Sequence, residues 1–186
     1  THIVILPIYR SDDEKRVVLE YCHSLQQELR TQNYHSVRLE VQIDDRDLRG
    51  GEKAWQHIKK GVPIRLEVGP RDVASGAVFM ARRDKEVKDK QGVPRAEFVG
   101  RATAILDEMQ AALFERARKH REENTKDIST WDDFVTYFKP RSEDKPEIHG
   151  GFARCHWAGG PDVVEKLKAM KVTARCIQLG LEKKPG

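Results

Sequence analysis

The stretch that decides the fold is Gly61-Val62-Pro63-Ile64-Arg65-Leu66-Glu67-Val68-Gly69-Pro70-Arg71-Asp72. Its apolar residues alternate with Arg65 and Glu67 between two turn signals, which predicts a strand with one buried face. Because successive side chains on a strand point to opposite faces, Arg65 and Glu67 are expected to project together on the solvent side, about 7 Å apart. The turn after the strand presents Arg71 and Asp72 beside them. The stretch therefore predicts a rigid hydrogen-bonding surface that recognises a polar, planar group.

The segments on either side of this strand alternate between strand and helix patterns. They are a strand at 2–8, a helix at 12–31, a strand at 37–41, a helix at 52–60, a strand at 77–83, a hairpin-like stretch at 84–95 around Gln91-Gly92, and a long helix at 97–123. This order predicts an α/β fold with a mixed, mostly parallel sheet of about five strands flanked by helices, in which the strand at 77–83 is antiparallel to its predecessor.

Ligands of such sheets bind at the carboxyl ends of the parallel strands. Those ends carry Tyr9-Arg10, Asp44–Asp47 and Gly69–Asp72, so the topology and the local pattern converge on the same residues. In the helix at 52–60 we expect Ala54, Trp55 and Ile58 to form the apolar face.

A smaller α+β unit is predicted to follow, so the expected domains are 1–122 and 123–186. Thr130 is expected to cap a helix that carries Trp131 and Phe134. A strand at 152–157, a helix at 161–170 and a strand at 172–179 complete its pattern.

Composition limits the function classes. The 186 residues carry a net charge of +4 and three cysteines, contain no apolar run long enough to span a membrane, and begin without signal-peptide features. We therefore expect a cytoplasmic fragment with no membrane partner. The mild charge argues against non-specific nucleic-acid binding, although basic residues outnumber acids between Arg49 and Arg71.

Phosphate-loop, dinucleotide, zinc-protease and serine-hydrolase motifs are absent from the sequence, so no catalytic residue is predicted. Several other residues have more than one interpretation. The turn Asp44–Asp47 could be a carboxylate cluster that binds a metal. The alternatives are a capped turn in which Arg46 pairs with its acidic neighbours, and a contact with RNA. Lys53 is either a solvated helix charge or a ligand contact. Arg82 and Arg83 are either edge charges or, because they are expected near Arg65 and Glu67, ligand contacts.

Glu67 and Arg65 have the sharper interpretation. A carboxylate can accept hydrogen bonds from N1–H and the amino group of guanine, and an arginine can donate to O6, N7 or a phosphate. The alternative is a surface ion pair on a sheet. At the level of the whole chain, the alternatives are an independent α/β module that binds a small nucleotide and a protein-docking module.

The run Gly61–Asp72 resembles the prolyl-tRNA synthetases of the form found in archaea, eukaryotes and some bacteria, which are class II enzymes. The resemblance covers nearly the whole chain and extends to Asp44–Asp47, 51–55, 113–117 and 121–125. It implies an anticodon-binding domain followed by the C-terminal domain of that form. It also implies recognition of the two guanines of the proline anticodon through a region matched by Glu67, Arg65, Arg71, Asp72, Arg82 and Arg83, with Arg46 and Lys53 as further candidates.

The resemblance also implies partners and cofactors. The parent enzyme would attach proline to its tRNA with ATP and Mg²⁺, as a homodimer, through a catalytic domain that this chain does not contain. The family's C-terminal domain often holds zinc on four cysteines. The first two positions would fall at Ala158 and Val163, so zinc is not expected here. Cys155-His156 and Cys176 could be read as a zinc site, but they lack ligand spacing and are expected to be core residues.

Overall fold

The computed structural model describes residues 1–140, 142, 144, 151–157, 159–177 and 180. It divides into two compact units, Thr1–Glu115 and Arg116–Gly186. None of the helices in the described residues is both long and apolar enough to cross a membrane.

The first unit is built on a five-stranded sheet with the strand order β4-β1-β5-β6-β7. Its strands are β1 (Ile3–Pro7), β4 (Val41–Ile43), β5 (Ile64–Val68), β6 (Ala77–Arg82) and β7 (Lys90–Pro94). The first three of these are parallel to one another, while β6 is antiparallel to both β5 and β7. The predicted mixed α/β sheet, including the antiparallel strand after Asp72, is confirmed.

Four helices surround the sheet: α1 (Asp12–Leu29), α2 (Gly50–Lys59), α3 (Pro70–Ser75) and α4 (Arg95–Glu123). The Ser11 hydroxyl accepts from the Glu14 N–H and starts α1, as its sequence predicts. The main core fills one face of the sheet, where Ile5 and Leu66 pack with Leu25 of α1 and Phe98 of α4. The opposite face has a smaller cluster in which Val4, Leu6 and Val62 meet Ala54 of α2.

The prediction of one continuous sheet strand at 37–41 is wrong. Asn33–Tyr34 (β2) and Val37–Arg38 (β3) form a separate hairpin, and the sheet strand starts only at Val41. The cause is local, because His35 and Ser36 adopt left-handed φ angles of 46° and 67° and close a tight turn between β2 and β3. Leu39 and Val41 are buried as the alternation indicates, but Val37 is exposed.

Two turns also differ from the sequence prediction. The residues after Gly69 form the short helix α3 rather than a simple turn, with Pro70 at its first position. Gln91 and Gly92 lie within β7 rather than at the tip of a hairpin, because the turn falls earlier, between Arg82 and Lys90.

The second unit contains β8 (Thr125–Asp127), α5 (Trp131–Phe138), β9 (Phe152–Arg154) and α6 (Pro161–Ala169). Thr130 caps α5, as predicted. β8, which was not predicted, pairs in parallel with β9, and Ile128, Phe134 and Leu167 form the core. The predicted strand at 172–179 is not formed over 172–177, and its residues 178–179 lie outside the described part of the chain.

Candidate nucleic-acid interface

The carboxyl ends of the three parallel strands lie side by side at one edge of the sheet. The Ile8 N–H donates to the Val68 carbonyl at 2.8 Å, and the Asp44 N–H donates to the Ile5 carbonyl at 2.9 Å. The segments that follow β1, β4 and β5 therefore start from neighbouring positions, as the topology predicts.

Arg65 and Glu67 project from the same face of β5, opposite the main core. The expectation that both are on the solvent side is wrong for Arg65, which is only 5% exposed. Periodicity assigns a face, but it does not show that α2 covers part of this one. Burial lowers the pKa of the Arg65 guanidinium, and the nearby Glu67 charge opposes that shift. Within the described residues, no hydrogen bond or ion pair engages the Arg65 side chain.

Glu67 is partly accessible and is already engaged. Lys90 Nζ donates to its Oε1 at 2.5 Å, and the two side chains are 30% and 20% exposed, respectively. Lys90 belongs to β7, two strands away from Glu67. Sequence reasoning missed this residue because it placed 84–95 in a hairpin-like stretch instead of giving Lys90 a position on the sheet.

Phe79 extends the surface next to Glu67. The register places it opposite Glu67 on one side and opposite Gly92 on the other, so all three share one face. Phe79 is 37% exposed, and a Cβ built on Gly92 would meet nothing within 4 Å. An accessible ring of this kind can stack on an unpaired base. The sequence signal for Phe79 was its place between two apolar residues of a predicted strand, because alternation puts it on the face opposite Val78 and Met80. Both of those residues are buried in the structure.

The residues that follow β5 have different roles. Asp72 Oδ2 accepts from the Gly69 N–H at 2.8 Å and so closes the start of α3. This contact gives Asp72 a structural function. Arg71 is exposed on the first turn of α3, where its guanidinium is available to a ligand.

Arg82 and Arg83 do not both lie near the Glu67 surface. Arg82 pairs with Ile64 in the register and therefore lies on the opposite face of the sheet. It donates two hydrogen bonds to Asp84, at 3.0 and 2.9 Å, and one to Glu108 at 3.0 Å. The expected proximity of Arg82 to Arg65 and Glu67 is thus wrong, because strand alternation separates them. Arg83 is exposed and donates to the Gly61 carbonyl at 3.4 Å.

Asp44 is the centre of a buried polar cluster at the end of β4. Its carboxylate accepts from Arg46 Nε at 2.8 Å and Nη2 at 2.7 Å and contacts His57 Nε2 at 2.8 Å. The hydrogen bonds from Arg46, and secondarily from His57, hold the pKa of the Asp44 carboxyl well below its usual range, although burial opposes them. The capped-turn interpretation of Arg46 is therefore the one that the geometry favours.

Lys53 and His57 form the inner side of α2. Lys53 is 4% exposed and donates to the Asp44 carbonyl at 3.2 Å, so it is not a solvated charge. Trp55, expected on the apolar face, is 56% exposed instead. The helix turns its polar residues inward because Asp44 offers acceptors there. His57 was not predicted, and its Nδ1 has no hydrogen-bond partner in the described part of the chain.

A metal cluster of three or more His, Cys, Asp or Glu side chains does not occur among the described residues. Cys155 and Cys176 are free and exposed, so the expectation that they belong to a core is wrong, while Cys22 is buried and its pKa is raised to about 12 by burial. Ala158, a position considered for zinc, lies outside the described residues.

Comparison with known proteins identifies the family to which the chain belongs. The family described as "Anticodon binding domain" matches residues 2–105. Among curated proteins, the chain is similar to "Proline--tRNA ligase" of Bdellovibrio bacteriovorus, with 48% identity over 181 residues, 97% of this chain and 36% of that protein. The protein of the same name from Protochlamydia amoebophila is 44% identical over 176 residues, 94% of this chain and 35% of the relative.

A more distant relative, "Proline--tRNA ligase" of Roseiflexus sp. (strain RS-1), is 38% identical over 189 residues, 100% of this chain and 36% of that protein. The chain thus spans little more than a third of the length of these relatives. The family resemblance inferred from the Gly61–Asp72 run is confirmed. The chain belongs to the anticodon-binding domain family, and it is similar along nearly its whole length to part of the proline–tRNA ligases.

Proposed function

We propose that this chain is the part of a proline–tRNA ligase that binds the anticodon loop of proline tRNA. Its family and the names of its relatives support this proposal. The parent enzyme would join proline to its tRNA with ATP and Mg²⁺ in a separate catalytic domain, as a cytoplasmic homodimer. The proposal assigns neither a catalytic residue nor a zinc ion to this chain.

The observation that carries the proposal is the partly accessible Glu67 carboxylate beside the exposed ring of Phe79. RNA loops are recognised in sequence when unpaired bases stack on aromatic side chains and hydrogen-bond through their Watson–Crick edges. A carboxylate accepts two hydrogen bonds from guanine, at N1–H and the 2-amino group, whereas adenine offers an acceptor at N1. Glu67 therefore suits one of the guanines of the proline anticodon.

The other candidate residues fall into two groups, those that are exposed and those that are already hydrogen-bonded within the protein. Arg71 and Arg83 are exposed and suit phosphate contacts next to the loop. Arg65 is buried beside Glu67 on the same face of β5, so we assign it to the electrostatic surroundings of Glu67 rather than to a direct base contact. Arg46, Lys53, Asp72 and Arg82 are engaged by the protein, so we assign them to holding the strand ends in place.

The test measures binding of a fluorescently labelled proline anticodon stem-loop to the chain by anisotropy. We expect Glu67→Ala to weaken binding about 5- to 150-fold, the range for loss of one bidentate base contact. Glu86→Ala, which changes an exposed glutamate in the β6–β7 turn, is the matched control and should leave the affinity unchanged. Equal affinities for Glu67→Ala and the unchanged chain would remove Glu67 from the site. Calorimetric heat with ATP, without binding of the stem-loop, would favour the small-nucleotide alternative.

A further inference from the structure

Strand β4 forms one of the two edges of the central sheet, so one side of its backbone has no neighbouring strand in that sheet. The Asp44 N–H donates to the Ile5 carbonyl of β1. Because the N–H and C=O groups of successive residues point to opposite sides of a strand, those of Val41 and Ile43 point away from β1. Outward backbone groups of this kind are a template on which a strand of another chain can pair.

The two edges of the sheet differ in how their sequences oppose such pairing. At the other edge, β7 carries Lys90 and Pro94, and both residue types discourage the addition of a strand. β4 has neither, because its sequence is Val41-Gln42-Ile43, which is uncharged and rich in β-branched residues. A surface groove of about 430 Å³, lined by Arg30 and residues 38–42, leaves space beside it. The sequence of β4 alone therefore does not protect this edge.

Two side chains of α1 close the edge at Val41. Gln26 Nε2 donates to the Val41 carbonyl at 2.9 Å, and Arg30 Nη2 donates to the same oxygen at 2.7 Å. A carbonyl oxygen has two lone pairs, so both are occupied. In the described part of the chain no side chain donates to the Ile43 carbonyl, so Val41 is the position that α1 closes.

The outward groups of β4 are suited to pairing with a second copy of the same strand. Two copies can pair antiparallel about Gln42, with Val41 of each opposite Ile43 of the other. Since a hydrogen-bonded antiparallel pair exchanges both of its N–H···O bonds, two such pairs make four bonds. Two of these bonds need a Val41 carbonyl as acceptor. The contacts from Gln26 and Arg30 occupy these acceptors.

We propose that Gln26 and Arg30 form an edge guard, which keeps a second copy of this chain from pairing with β4. Arg30 is exposed, yet among the described residues it contacts no carboxylate, and its guanidinium is used on the strand backbone. Arg38 Nε donates to the Arg30 carbonyl at 2.6 Å, which supplies a positive charge where the last turn of α1 has none. The inference is independent of the proposed function.

The test is the oligomeric state of the chain, measured by analytical ultracentrifugation over a wide range of concentration. The unchanged chain should sediment as a monomer. Replacing both guard residues, as Gln26→Met with Arg30→Met, removes the two donors and keeps the apolar stems. The mass of this double variant should rise with concentration until it doubles. The matched control, Gln27→Met with Arg16→Met, makes the same exchange at exposed positions of α1 and should remain monomeric.

A further substitution shows whether the association uses β4. Gln42 is exposed and would face its own copy at the centre of the antiparallel pair. Like charges directly opposite each other destabilise such a pair, so adding Gln42→Lys to the double variant should restore the monomer.

Four results would overturn the edge guard. They are a double variant that stays monomeric and only loses stability in urea, association of the control variant to the same extent, association that Gln42→Lys does not reverse, and an unchanged chain that already dimerises. If the double variant does not fold, Arg30→Met alone decides by the same criteria, because Arg30 is exposed and can be replaced without disturbing the core.

Discussion

Replacing Glu67 with glutamine tests whether the carboxylate reads the base. Glutamine has nearly the same shape, but its amide presents one acceptor and one donor. That pair no longer matches the two donors of guanine, and it does match adenine, which has an N6 amino donor beside its N1 acceptor. The substitution should therefore redirect the preference of the surface rather than merely weaken it.

The structure sets the magnitude of this effect. One bidentate contact to a base is worth about 1–3 kcal/mol of discrimination, so the preference for guanine over adenine should fall by about 5- to 150-fold in Glu67→Gln. The cost to folding is small, because the ion pair with Lys90 is partly exposed and such pairs contribute about 0–1 kcal/mol. The variant should therefore fold, and a change in affinity would report on recognition.

The assay compares the dissociation constants of guanine and adenine stem-loops for the unchanged chain, Glu67→Gln and the control Glu86→Gln. The control removes the same charge from an exposed glutamate in the β6–β7 turn. An unaltered guanine preference in Glu67→Gln, with normal folding by circular dichroism, would refute the assignment of the carboxylate. A uniform loss for both loops would assign Glu67 to the architecture of the sheet instead.

Three further predictions concern other residues of the candidate interface and of the structure that holds it. Phe79→Ala should weaken binding of the guanine and adenine loops alike by about 1–3 kcal/mol, the value of one stacked base, whereas Phe114→Ala on an exposed part of α4 should not. Asp44→Asn should lower the free energy of unfolding at pH 7 by about 2–4 kcal/mol in urea titrations. Because the pKa of Asp44 is depressed in the folded chain, its stabilisation is present above about pH 4 and is lost as the pH falls further, so the variant should show less acid destabilisation. Arg71→Ala should weaken RNA binding and reduce its salt dependence by about one charge, whereas Arg82→Ala should lower the stability measured in urea and leave RNA affinity unchanged.

The sequence predicted the strand that carries the site better than its surroundings. Alternation over Ile64–Val68 assigned Arg65 and Glu67 correctly to one face, because strand periodicity is a local property. It could not show that Arg65 is buried, since that depends on where α2 packs. In the same way, the helical pattern placed Trp55 on the buried side of α2 because the residue is apolar. In the structure Lys53 is on that side instead, where it donates to the Asp44 carbonyl.

Contacts between distant strands were the least predictable part of the site. Lys90 reaches Glu67 because the turn between β6 and β7 ends just before Lys90 and so pairs Lys90 with Ala81 in the sheet. The sequence pattern had placed that turn around Gln91-Gly92. A shift of one residue in this register would turn Lys90 to the other face. The role of Phe79 depends on the same register, which sets Gly92 opposite its ring.

The change from parallel to antiparallel pairing at β5 has a consequence for the entropy of binding. Parallel strands need crossover segments that cover the sheet, whereas β6 and β7 are joined by a turn and need no such cover. Glu67 and Phe79 therefore stand on backbone that the sheet's hydrogen bonds already hold, instead of on loops that must become ordered around a ligand. A preorganised surface of this kind loses little conformational freedom when it captures a flexible RNA loop, so the ordering cost falls on the RNA.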